Sequence, residues 1–297
     1  MTRRGRRFWT LGAIVLVGTL PLAAQTGYSV RSDGSDGKDD YLYSIDLQTG
    51  LATPIGPTGF EDVEGLAFDR HCEVLYGVDD VTDRLLTCNL ETGACTQVGQ
   101  LGVDITDTGL AFVDDATLLM STDAPKTPNR LYQVERVTGA ATPLGDQGQE
   151  ITGLAAGPEG IFGLGGDHRD NLVQIDPATG HATPIGPLGA VSLSDGGLDF
   201  DAAGVLWGIE DAGLRDPGRL FTVDTATGAA TVVATIHDGD DNLGGFEGLA
   251  IKGGVCSVLT GGGQGPIVLE VPTVSGWGLA VLAALLTGAG LFLLRRH

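Results

Sequence analysis

The chain has 297 residues, enough for one large domain or two ordinary ones. It carries 38 Asp and Glu against 17 Lys and Arg, a formal charge of −21. Six of those bases are arginines near the termini (Arg3, Arg4, Arg6, Arg7, Arg295 and Arg296), so residues 25–270 hold every acid and only 11 bases, a net −27. Such a body repels phosphate backbones and anionic lipid heads. That excludes a nucleic-acid role and favours cations or cationic partners.

Residues 1–24 read as a secretory signal peptide. "RRGRR" is the charged region, "FWTLGAIVLVGTL" the apolar one, and "PLAA" ends in small residues that allow cleavage after Ala24. The apolar run is shorter than the roughly 20 residues that span a bilayer, which favours cleavage over an uncleaved anchor.

The body, 25–258, repeats. One phrase occurs five times, as "LYSIDLQTGLATPIG" from 42, "LLTCNLETGACTQVG" from 85, "LYQVERVTGAATPLG" from 131, "LVQIDPATGHATPIG" from 172 and "LFTVDTATGAATVVA" from 220. A second phrase alternates with it: "EGLAF" from 64, "TGLAF" from 108, "TGLAA" from 152, "GGLDF" from 196 and "EGLAI" from 247. Starts in the second series lie 44, 44, 44 and 51 residues apart. Short alternating strands at a period of roughly 40–50 residues mark propeller blades. Each blade is expected to hold four strands. The "GLA" strand lies nearest the axis, a strand such as "LYGVDD" (75–80) or "LWGIED" (206–211) follows, and a hairpin turning at Thr-Gly completes the sheet. Proline in "ATPIG" suits an outer edge strand.

"GYSVRSD" (27–33) is a second strand with no first strand before it, and "EGLAIKGG" (247–254) is a first strand left over. Pairing them closes an all-β, five-bladed β-propeller and removes its open edges. Six blades are the alternative, if "VCSVL" and "IVLEV" add sheet. The repeats resemble bacterial secreted propellers with WD40-like or NHL-like blades, although the Trp-Asp and Gly-His marks of WD40 are missing. That resemblance implies a fold and no activity.

Four cysteines in an exported chain permit disulfides. Cys88 and Cys95 flank one Thr-Gly turn. A four-residue loop places them opposite each other with Cα atoms about 4.5 Å apart, within bonding range; free thiols are the alternative. Cys72 and Cys256 follow the two "EGLA" phrases of neighbouring blades and form a second candidate pair.

Two acidic features are candidate metal ligands. Asp33, Asp36, Asp39 and Asp40 cluster in "DGSDGKDD", and "HDGDDN" (237–242) is similar. Hard oxygen ligands there suit Ca²⁺, and a solvated loop is the plain alternative. Glu64 and Glu247 hold the position before "GLA" in adjacent blades and should face one mouth of the channel. There they could bind a cation or share a proton. Neither His-x-x-x-His spacing, Gly-x-Ser-x-Gly, a phosphate loop nor a dinucleotide fingerprint occurs. The reading is therefore a non-enzymatic binding or matrix protein with no certain cofactor beyond a possible Ca²⁺. The alternative is a secreted metal-dependent hydrolase with its site at the channel mouth.

A Gly-rich linker (259–270) leads to the tail, 271–297. Val271, Pro272 and Thr273, then Trp277 and Gly278, precede an apolar run from Val274 to Leu294 that ends in Arg295 and Arg296. Twenty-one uncharged residues at about 1.5 Å each cover a bilayer core, and the arginines stay cytoplasmic, which leaves the body outside. This three-part pattern resembles the IPTL-CTERM class, relatives of the PEP-CTERM sorting tails of Gram-negative bacteria. Val271, Val274 and Gly276 depart from its usual Ile-Pro-Thr-Leu-Ser-Glu-Trp-Gly. The resemblance implies export, an inner-membrane stage anchored by the C-terminal helix, and processing by an exosortase-like protease before display at the outer surface or release. A plain single-pass anchor is the alternative. The ligand, an envelope protein or glycan, is not named by the residues.

Overall fold

The computed structural model describes residues 25–31, 40–124, 127–166, 169–211, 213–214 and 216–253. The chain divides into two units, Met1–Thr260 and Gly261–His297, and the second lies outside the described residues, as do residues 1–24. Among the described residues no helix is long and apolar enough to cross a membrane.

Among the described residues twenty strands form five antiparallel four-stranded sheets, the blades of a five-bladed propeller. Blade two holds β4 (Val63–Phe68), β5 (Leu75–Asp79), β6 (Arg84–Cys88) and β7 (Cys95–Gln100). Blade three holds β8 (Gly109–Phe112), β9 (Leu118–Ala124), β10 (Thr127–Val134) and β11 (Ala141–Asp146). Blade four runs β12 (Ile151–Gly157), β13 (Gly160–Gly165), β14 (Asn171–Ile175) and β15 (Ala182–Pro187). Blade five runs β16 (Asp195–Phe200), β17 (Leu206–Asp211), β18 (Arg219–Val223) and β19 (Ala230–Thr235).

Blade one is built from both ends of the body. β1 (Thr26–Arg31), β2 (Tyr41–Asp46) and β3 (Ala52–Pro57) come from the start, and β20 (Phe246–Ile251) comes from the end. β20 pairs antiparallel with β1, Gly27 opposite Ile251 and Arg31 opposite Phe246. The closure expected from the leftover phrases is therefore present.

Among the described residues, five apolar clusters sit between successive blades. Leu42, Val63, Phe68 and Leu86 join blades one and two, and Phe162, Leu172, Phe200 and Phe221 join four and five. Analogous sets fill the other three seams. Each fully buried Leu or Phe contributes about 1.5–3 kcal/mol. The alternation in "LYSID" and "LVQID" thus points apolar side chains into the seams.

The Thr-Gly turns are built alike. In blade one the Asp46 carboxylate accepts the N–H groups of Gln48 and Thr49, and Gly50 N donates to the Asp46 carbonyl at 2.8 Å. Asn89, Glu135, Asp176 and Asp224 do the same work in the other blades. Each turn leans on the blade before it. The N–H of Cys95 donates to Thr58 O at 2.8 Å, that of Ala141 to Leu101 O at 2.9 Å, and that of Ala230 to Leu188 O at 2.9 Å.

The "GLA" strands line the axis, and their glycines let backbones nearly touch. A Cβ on Gly65 would stand 2.7 Å from Thr108 O, and one on Gly109 would stand 2.6 Å from Leu154 N. The middle of the channel, ringed by these glycines and leucines from all five blades, has no room for water. The two mouths are separate chemical spaces.

Candidate functional site

The N-terminal ends of the five inner strands share one mouth. Because β4 and β5 run antiparallel, the end of β5 lies beside the start of β4, Val63 opposite Asp79. In blade five Asp195 lies opposite Asp211 and Gly196 opposite Glu210. Acids at the ends of second strands therefore join acids at the starts of first strands. A β-bulge at Gly65 interrupts the β4–β5 register, and another in β20 falls between Glu247 and Ala250. Ser29 fills the second bulge, its hydroxyl donating to Gly248 O at 2.7 Å. Bulges of this kind re-aim neighbouring side chains, here Glu64 and Glu247.

The result is a crowded set of carboxyls. Among the described residues three groups have carboxylate oxygens within 4.8 Å of one another: Asp40, Asp62 and Glu247; Asp62, Glu64 and Asp80; and Glu64, Asp107 and Asp195. Shared Asp62 and Glu64 link the three into one network. Glu64 is buried, and its Oε2 accepts the Thr108 N–H at 2.6 Å. Asp40 is 1 % exposed and its Oδ2 accepts the Val63 N–H at 2.8 Å, so it belongs to the mouth rather than to a solvated loop. Asp62 carboxylate oxygens lie within 4.8 Å of those of Asp80 and of Glu247, and a carboxyl can donate to its neighbour only when it carries a proton.

Burial lifts Glu64 well above the ordinary glutamate range, and repulsion from Asp195, Glu247, Asp80 and Asp107 adds to it. Asp195 and Glu247 are lifted for the same first reason, burial, then by neighbouring acids. Burial and then Asp62 push Asp80 up to about 8. Burial also raises Asp62, Asp107 and Asp211. Two unit charges 4 Å apart repel by about 4 kcal/mol at an effective dielectric constant of 20. Protons or a cation must therefore offset this mouth. Glu210 next to it is neutralised differently: it is buried, and Arg219 Nε and Nη2 donate to its two oxygens.

The opposite mouth carries other chemistry. Arg70, 4 % exposed, donates from Nη1 to Phe112 O at 3.2 Å, while its Nε and Nη2 have no partner. It lines a cavity of about 20 Å³ with Asp199, Phe68 and Leu110, enough for one water. Burial raises Asp199 to about 7, although Ile251 N and Phe200 N donate to it and Arg70 lies near.

The structure brings Glu64, Glu247 and Asp40 to one mouth. Asp33, Asp36 and Asp39 lie outside the described residues. The 237–242 loop is an exposed turn in which the Asp238 carboxylate accepts the N–H groups of Asp240 and Asp241. Those bonds satisfy the turn's own backbone. Sequence reasoning missed Asp62, Asp80, Asp107, Asp195 and Asp211. Their signal was present, since Asp62, Asp107 and Asp195 stand one or two residues before a "GLA" phrase, and Asp80 and Asp211 end the second-strand phrases. His71 and His181 are exposed, each beside or within a turn.

Cys88 and Cys95 form a disulfide across their Thr-Gly turn, with Cα atoms 4.0 Å apart. Cys72 is also disulfide-bonded, and Cys256, its expected partner, lies outside the described residues.

No curated protein matches the chain in sequence. In fold it is similar to a chain of a solved structure titled "Crystal structure of Nidogen/Laminin Complex", with a TM-score of 0.51 and 15% identity over 76% of this chain and 98% of that one. Solved chains that match in fold number 514, too wide a group to carry an activity. Residues 271–297, by contrast, match the IPTL-CTERM motif itself. The chain is thus a five-bladed propeller that ends in an IPTL-CTERM sorting motif, which points to an exported, surface-directed protein.

Proposed function

We propose that this is an exported envelope or extracellular propeller that acts by binding, as a non-enzymatic recognition or matrix protein. The observation that carries the proposal is the IPTL-CTERM motif at 271–297 behind a closed propeller body. In this reading residues 1–24 direct export and are removed. The run 274–294 then holds the protein in the inner membrane of a Gram-negative cell. An exosortase-like protease cuts the tail and passes the body to the outer surface. The body's charge of −27 favours a cationic partner or a cation-bridged glycan. The nidogen/laminin title names a protein complex; at 15% identity that similarity lends the fold and no partner.

The test replaces Pro272, Thr273, Trp277 and Gly278 with alanine and follows the protein by fractionation and intact mass. The natural chain should reach the surface or medium without residues 274–297. The variant should still be exported but keep its tail in the inner membrane. A mature natural protein that retains residues 274–297 would show a plain anchor instead.

The crowded carboxyls favour one second reading, a metal-dependent hydrolase at the same mouth. It predicts turnover of ester or lactone substrates that is lost in Glu64→Gln. Binding of an envelope fraction without such turnover supports the first reading.

A further inference from the structure

We propose that the carboxylates of Glu64, Asp107 and Asp195, with the Thr108 hydroxyl, hold one calcium ion at the mouth of the channel. This goes beyond the binding role above and does not depend on the route of export. Oxygens of the three acids lie within 4.8 Å of one another. A calcium ligand shell has a radius of about 2.4 Å, so oxygens that close fit on one ion.

A second observation points to a ligand rather than to a mere pool of acids. Thr108 is 2 % exposed and its hydroxyl has no hydrogen-bond partner, although a buried hydroxyl ordinarily finds one. It follows Asp107 directly in the chain and lines the channel, and its own N–H donates to Glu64 Oε2 at 2.6 Å. Glu247 Oε2, in the adjoining group, is likewise buried and unpartnered. Both are oxygens able to coordinate directly or through water.

The donor set selects the metal class. All the ligands are hard oxygens, with neither imidazole nor thiolate among them, which disfavours zinc and copper. They come from three places, β4, the turn before β8, and β16. Calcium accepts six to eight oxygens in loose geometry, whereas magnesium demands a near-ideal octahedron. Asp62 and Asp80 form the adjoining group, which shares Glu64 with the site.

The experiment uses the full-length chain in mild detergent, stripped with a chelator, then titrated with Ca²⁺ or Mg²⁺. Calorimetry should give one calcium per chain at the mouth, and calcium should raise the melting temperature more than magnesium does. Glu64→Gln and Asp195→Asn relieve buried repulsion, so the stripped variants should melt at or above the stripped natural chain yet gain nothing from calcium. Thr108→Val changes no charge and should weaken calcium about fivefold, the size of one lost polar contact. No calcium effect on the natural chain overturns the site. An equal gain in the natural chain and both acid variants also overturns it, and moves the ion elsewhere. Unchanged affinity in Thr108→Val removes the hydroxyl from the ligand set.

Discussion

Asp199 shows how one buried carboxyl can make stability depend on pH. Burial lifts it from the usual 3.8 to about 7. Between those values the folded chain keeps a proton that the unfolded chain has released, so this group's contribution falls as pH rises and is lost above about 7. Asp199→Asn keeps an oxygen for the Ile251 N–H but does not titrate. The melting temperature of the variant minus that of the natural chain should therefore be larger at pH 8 than at pH 5. Taking the difference cancels the other raised acids; an equal difference at both pH values would show that Asp199 does not titrate in this window. At this scale the site was half legible. Glu64 and Glu247 stood out because they occupy one slot of a repeat. Asp80 and Asp211 did not, because their place at the mouth follows only once the second strand is known to run back beside the first. Asp107 and Asp195 were hidden one residue ahead of the slot.

The element that the sequence displayed most fully is the Thr-Gly hairpin. Its five glycines all adopt φ between 76° and 81°. What strand patterning does not display is that the turn meets the neighbouring blade through a second glycine. A Cβ on Gly139 would lie 2.7 Å from the carbonyl carbon of Gly99, and Gly180 repeats the contact with Gly145. The partner glycine closes the repeated phrase at 56, 99, 145 and 186; the fifth phrase ends in Ala234, which faces Gly50 at the ring's closure. Gly59 supplies a control, with φ of 83° and nothing within 4 Å of its Cβ position. Gly59→Ala should cost about 1–2 kcal/mol of stability, the backbone term alone. Gly139→Ala should cost distinctly more in denaturant unfolding, since blade-to-blade contact is lost as well. Equal costs would show that the glycine pairs are spacing without consequence.

For the whole molecule, the five-fold period and the two orphan phrases were enough to read a closed ring. The lining of its channel was not, because side-chain direction at the bulges depends on backbone registers that a repeat phrase does not encode. Closure has a direct test. A chain that stops after Asn242 lacks β20 and leaves the edge of β1 bare, so it should self-associate in size-exclusion chromatography. A synthetic peptide of residues 244–253, added during refolding, should restore the monomer by filling the vacant strand position. A monomeric truncated body that melts like the natural one would show that β20 is dispensable.

Joining β1 to β20 also turns chain order into an order of events. The ribosome makes β1 first and its partner last, with all of blades two to five between them. Those blades rest on hairpins between near neighbours, which form quickly, whereas the β1–β20 contact is among the most distant in sequence and must wait. Through the whole interval of synthesis the Gly27–Arg31 edge has nothing to hold. The ring cannot lock until β20, the last strand of the body, is free.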